Sequence, residues 1–140
     1  MPKTSSEQQI LALDIGEKRI GVAIASYVSL LPSPLITLAN DEDFFNNLSD
    51  IITKQQVNLV VVGLPRGLDG QETAQTETIR RMTNEIEASL GLRTVFQDEA
   101  LTSQKAKEEL DGRGRIYTKP DVDKLAACFI LEDYIKDNSN

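Results

Sequence analysis

Apolar and polar positions fall into two kinds of pattern along this chain. Residues 10–16 (ILALDIG) and 19–25 (RIGVAIA) are apolar runs of strand-forming composition joined through Gly16-Glu17-Lys18, which predicts two strands in a hairpin. A third strand is expected over residues 34–38. Asn40 or Asp41 can then cap a helix in which Phe44, Leu48, Ile51, Ile52 and Gln55 draw an apolar stripe along one face. Residues 58–64 (NLVVVGL) form a Val-rich run without alternation, the mark of a strand covered on both faces. The helical spacing of Ile79, Met82, Ile86 and Leu90 then runs until Gly91 stops it. A short strand over residues 93–97, a polar helix over 102–110, a loose stretch over 111–115 and a last helix over 122–135 complete the order. The pattern predicts an α/β fold in which a mixed sheet carries helices on its faces. Sheets of this kind gather ligands at strand ends.

A length of 140 residues fits one domain with a real core. Residues 1–9 are expected to form a flexible N-terminus, 10–136 the domain and 137–140 a C-terminal tail. No apolar run approaches the ~20 residues that span a bilayer, and MPKTSSEQQ lacks the apolar segment of a secretory signal. A cytoplasmic protein with no membrane partner is therefore expected. A single cysteine, Cys128, excludes an internal disulfide and a cysteine-based zinc cluster, and its setting between Ala127 and Phe129 reads as a small core residue. The chain has no histidine, which leaves carboxylates as metal ligands and acid–base groups.

Asp14 is the conspicuous polar residue of the first strand. Burying a carboxylate without a partner costs several kcal/mol, so Asp14 is expected to face one, a cation. Read alone, it could instead bond the backbone amides of the turn at residues 16–19. Asp98 and Glu99 directly follow the strand over 93–97. Asp123 opens the last helix and shares a face with Ala126, Ala127 and Ile130. The alternative is that Asp121 caps that helix while Asp123 only complements its positive end. If the three sites converge, they suit Mg²⁺ or Mn²⁺, hard ions that prefer oxygen. A pair of such ions serves phosphoryl displacement.

Four segments in order, "LALDIGEKRIGVAIAS", "VVVGLPRGLDGQETAQTETIRRM", "FQDEALTS" and "VDKLAACFILEDYI", resemble the YqgF/RuvX family of Holliday junction resolvases and pre-16S rRNA nucleases. The resemblance spans residues 10–135. It implies an RNase H-like fold, a mixed five-stranded β-sheet with helices on both faces. It assigns Asp14, Glu99 and Asp123 as catalytic acids and metal ligands, with Asp98 beside them, holding one or two Mg²⁺ or Mn²⁺ ions. The loop over residues 63–70 would shape the substrate rim, with Gln75, Arg80 and Arg81 on the helix that follows. One position departs from the family pattern: Ala100 stands where an Arg usually follows the Asp-Glu pair, and Arg113 or Arg115 could supply that charge.

The resemblance implies a metal-dependent endonuclease acting on structured nucleic acid, either the 5′ end of the 16S rRNA precursor or branched DNA. A catalytically weak nucleic-acid- or protein-binding module is the alternative, supported by Ala100 and by a net charge of −7 from 15 basic and 22 acidic residues. A two-lobed sugar-kinase-like ATPase is a further reading of the strand–Asp–x–Gly turn, but 140 residues supply one lobe. Candidate nucleic-acid contacts are Lys18, Arg19, Arg66, Arg80, Arg113 and Arg115. Lys105, Lys107 and Lys119 also lie near turns and helix ends, and any of these clusters could be solvated surface charge. The protein is expected as a monomer or homodimer.

Overall fold

The computed structural model describes residues 8–65, 73–99, 102–114 and 117–138. The elements run β1 (Gln9–Ile15), β2 (Arg19–Ser26), β3 (Ser33–Ala39), α1 (Phe44–Gln55), β4 (Val57–Pro65), α2 (Ala74–Leu90), β5 (Arg93–Glu99), α3 (Thr102–Gly112) and α4 (Lys119–Asn138). The five strands form one sheet in the order β3-β2-β1-β4-β5. β1–β2 and β2–β3 are antiparallel, while β1–β4 and β4–β5 are parallel. This is the mixed five-stranded sheet that the sequence predicts. The parallel half aligns the C-terminal ends of β1, β4 and β5 along one edge.

The two faces of the sheet differ in side-chain size, and that difference positions the site. One face carries large aliphatics, Leu11, Leu13, Ile20, Val22, Val60 and Val62, packed against Phe44 and Leu48 of α1 and Ile79 and Ile86 of α2. The other carries Ala12, Ala23, Ala25 and Val61 under Ala127, Cys128, Ile130 and Leu131 of α4. Small side chains let α4 approach the sheet closely. At Gly21 the approach is so close that a Cβ would run into the carbonyl oxygen of Asp123. The Thr37 hydroxyl donates to the Pro120 carbonyl at 2.7 Å and ties the start of α4 to β3.

Several boundaries differ from the sequence pattern for local reasons. α4 starts at Lys119 and not near Val122, because Thr118 and Asp121 cap it reciprocally. The Thr118 N–H donates to Asp121 Oδ2 at 3.0 Å, and the Asp121 N–H donates to Thr118 Oγ1 at 3.4 Å. Pro120 is tolerated in the first turn, where no N–H donor is needed. Asp121 therefore sits inside the cap and is not the capping residue itself. The residue before α1 is Asp43, with no side-chain cap bond. Asn40 is turned away, its amide donating to the Gly16 carbonyl at 2.8 Å. α3 continues through Gly112, and β5 includes Asp98 and Glu99. β1 begins at Gln9 and α4 extends to Asn138, each slightly past the expected domain limits. Among the described residues, no helix is long and apolar enough to cross a membrane.

Candidate active site

Asp14 is the next-to-last residue of β1 and pairs with Gly21 of β2, so its side chain rises from the face covered by α4. On β5, Gln97 pairs with Gly63 and Glu99 with Pro65, which puts Glu99 on that same face. β4 separates Asp14 from Glu99, and Gly63 is what opens the passage. With no side chain there, the Glu99 carboxylate lies across the strand, its Oε2 3.1 Å from the place a Cβ would occupy. Asp123 reaches the same edge from above, in the early part of α4 that rests on Gly21.

Electrostatics register the convergence. The Asp14 carboxyl is pushed up from an ordinary value of 3.8 to about 8, first by burial, then by the negative charges of Glu99 and Asp123. A hydrogen bond to Glu99 adds to the rise. Asp14 thus faces two carboxylates in place of the cation expected for it. The cation goes to Asp123: Arg19 Nε donates to Asp123 Oδ2 at 2.7 Å, a part-buried ion pair linking β2 to α4. Among the described residues no three acidic or cysteine side chains already stand in coordinating positions. Asp14 and Glu99 lean on each other while Arg19 holds Asp123. The donor set is all oxygen and the negative charge is undercompensated, so the residues fit a hard divalent ion in chemistry and in charge.

The other candidate residues fall in several places. Strand alternation sends Asp98, the partner of Leu64 in register, to the face opposite Glu99, and Asp98 is exposed. Lys18 is exposed in the β1–β2 turn. Arg80, on α2 beneath the opposite face, lies over the Phe96 ring with 5.0 Å to its centroid. Arg113 pairs with Glu109 at 3.0 Å. Gln75 lines a separate cleft of about 490 Å³ with Gly16, Glu17 and Asn40. Arg66, most of the loop over residues 63–70, Ala100 and Arg115 lie outside the described residues. Cys128 is buried, and its thiol is pushed up to about 12 by burial and the charges of Glu132 and Glu109. That suits a core residue and not a nucleophile. Sequence reasoning missed Gly21, and it placed Gly63 in a rim-shaping loop where the structure has it inside β4. Their signal was available, since a glycine inside a strand often marks a close approach.

A sheet in this order, with acids at the ends of β1 and β5 and on the last helix, defines the RNase H-like class. Solved structures share the fold. A RuvC from T. thermophilus in complex with a Holliday junction substrate superposes with a TM-score of 0.60 at 14% identity, covering 94% of this chain and 97% of that one. A fowlpox virus resolvase with Holliday junction DNA covers 94% of this chain and 99% of its own at 14% identity. Within this class the chain belongs to the RuvX family, whose model, described as "Holliday junction resolvase", matches residues 8–137. Curated relatives are named "Putative pre-16S rRNA nuclease". The one from Nitrosospira multiformis is 41% identical over 129 residues, covering 89% of this chain and 85% of the relative. The one from Orientia tsutsugamushi is 37% identical over 138 residues, covering 96% and 87%.

Proposed function

We propose that this chain is a metal-dependent endonuclease that hydrolyses phosphodiester bonds in structured nucleic acid, acting on the 5′ end of the 16S rRNA precursor in ribosome biogenesis. The observation that carries the reading is the meeting of three carboxylates from β1, β5 and α4 at one strand edge, with Asp14 raised to about 8 by its own neighbours. A fold gains nothing in stability from gathering like charges in a part-buried place, which makes such a cluster a functional candidate. Asp14, Glu99 and Asp123 are the residues that would hold one or two Mg²⁺ or Mn²⁺ ions. Bound there, the ions supply water activation and stabilise charge on the phosphoryl oxygens during in-line displacement. Arg19 sets the direction of Asp123 through its 2.7 Å bond. The choice of precursor rRNA rests on the names of the relatives, while the family description and the fold neighbours point to four-way DNA junctions.

Cleavage of a labelled 16S precursor fragment and of a four-way DNA junction, each with Mn²⁺, Mg²⁺ or EDTA, tests the reading. Metal-dependent cutting of the precursor, lost in Asp14→Asn, is expected. Cutting of the junction alone would reassign the substrate. Cutting that persists in EDTA, or that survives in Asp14→Asn, would overturn the metal site.

A further inference from the structure

Beside Asp123 opens a cleft of about 460 Å³, lined by Arg19, Lys107, Tyr117, Thr118, Lys119 and Asp123. Its cations come from three elements: Arg19 from β2, Lys107 from α3 and Lys119 from the start of α4. In a chain with a net charge of −7, three basic side chains on one small cleft are a local reversal of sign. Arg19 is committed to Asp123. Lys107 and Lys119 have no acidic partner among the described residues.

The walls are held by packing. Ala106, the neighbour of Lys107, is buried with Leu110, Val122 and Ala126 in the seam between α3 and α4. Tyr117 packs on the same seam. Lys119 adjoins Pro120, whose carbonyl is tied to Thr37. Lys119 thereby stands on the helix that carries Asp123, and Lys107 on the helix packed against it.

We propose that this cleft seats a phosphodiester group of the substrate strand next to the scissile bond, with Lys107 and Lys119 flanking the phosphate and Tyr117 presenting a ring to the adjoining base. The chemistry is that of a backbone subsite. Ammonium groups act as point charges on phosphate, and an aromatic wall accepts any base by stacking. The proposal rests on the nuclease reading and extends it to the place where the strand lies. It also offers a way for an acidic protein to hold a polyanion: the cleft gathers Arg19, Lys107 and Lys119 directly beside Asp123.

The test is fluorescence anisotropy of labelled single strands of RNA and of DNA, titrated with the full chain over a range of KCl, with EDTA and in parallel with Ca²⁺. For single strands each neutralised phosphate contributes about 0.7 to the slope of log affinity against log salt. The Lys107→Ala/Lys119→Ala variant is expected to bind more weakly, with a slope smaller by about 1.4. A fourfold rise in salt would then cost the variant about sevenfold less affinity than it costs the parent. Lys54→Ala, on the exposed last turn of α1, is expected to leave the slope unchanged. Equal effects on RNA and DNA mean a phosphate contact, and a larger effect on one assigns the strand type. A parent that binds while the double variant keeps its full slope would overturn the cleft and leave the nuclease reading standing. A parent that binds neither strand in either buffer would overturn the cleft, and the nuclease reading then stands or falls by the cleavage assay. Competition by oligo-glutamate as effective as that by an oligonucleotide of equal charge would assign the cleft to acidic protein and refute the proposal.

Discussion

Asp14→Asn is expected to stabilise the metal-free protein, and to do so more strongly as the pH rises. Asp14 holds its proton up to about 8 in the folded protein, against an ordinary 3.8. Between these values the folded state binds a proton that the unfolded chain has released. Stability therefore falls as pH increases across that window; the contribution is fully present below 3.8 and gone above about 8. Each pH unit inside the window is worth about 1.4 kcal/mol, so the three units from pH 5 to 8 are worth on the order of 4 kcal/mol. That is a large share of the 5–15 kcal/mol that typically holds a domain together. Asparagine has the same shape, can donate its amide to Glu99 and cannot ionise.

Urea unfolding in EDTA at a series of pH values from 5 to 8 reads the effect as a difference between variant and parent, which cancels the titrating groups outside the Asp14–Glu99–Asp123 cluster. The difference is expected to grow steadily with pH in favour of the variant. A flat difference, or a variant less stable than its parent at pH 8, would refute the idea that Asp14 carries an unrelieved charge. Adding Mn²⁺ at pH 8 should raise the midpoint of the parent by mass action and leave Asp14→Asn nearly unmoved. An equal rise in both would place the ion elsewhere.

Gly63→Ala puts a methyl group against the buried Ile130 side chain and 3.1 Å from Glu99 Oε2, so it should destabilise the protein by about 2 kcal/mol through overpacking. It should also lower nuclease activity more than tenfold at a temperature where the variant is folded; unchanged turnover would show that Glu99 need not cross β4. Cys128, with its thiol pushed up to about 12, should resist a thiol-labelling reagent at pH 8 in the native protein and react at once in urea. Rapid native labelling, followed by mass spectrometry, would contradict its burial under α4.

The strands were legible because their signals are local. The Val-rich run of β4 has no polar alternation, and the structure covers it on both faces as such runs require. Asp14 stood out for the same reason, a carboxylate inside an apolar strand. The distinction between Asp98 and Glu99 came only from the family resemblance and was not legible in the local pattern. It depends on β5 continuing two residues past the apolar run, after which alternation sends the two acids to opposite faces. The partner of Asp123 was equally hidden. Arg19 reads as one more basic residue beside a turn, and only the descent of α4 onto Gly21 brings it to an acid 104 positions away.

These two glycines give the site its physical logic. A strand residue at position 21 or 63 with a side chain would lift α4 or block Glu99, and either change would separate the carboxylates and lower their mutual repulsion. A sequence shaped by stability alone would fill both places, since glycine weakens a strand and packs nothing. The large-aliphatic face holds Leu11, Leu13, Val60 and Val62 against α1 and α2 with no such gaps. The sheet thus divides its tasks: one face supplies the burial that keeps the domain folded, and the other gives up packing so that three acids can meet. That arrangement is unfavourable for the bare protein at neutral pH. It becomes favourable once positive charge arrives at the cluster, which is why the response to Mn²⁺ and the pH dependence of Asp14→Asn probe the same property from opposite sides.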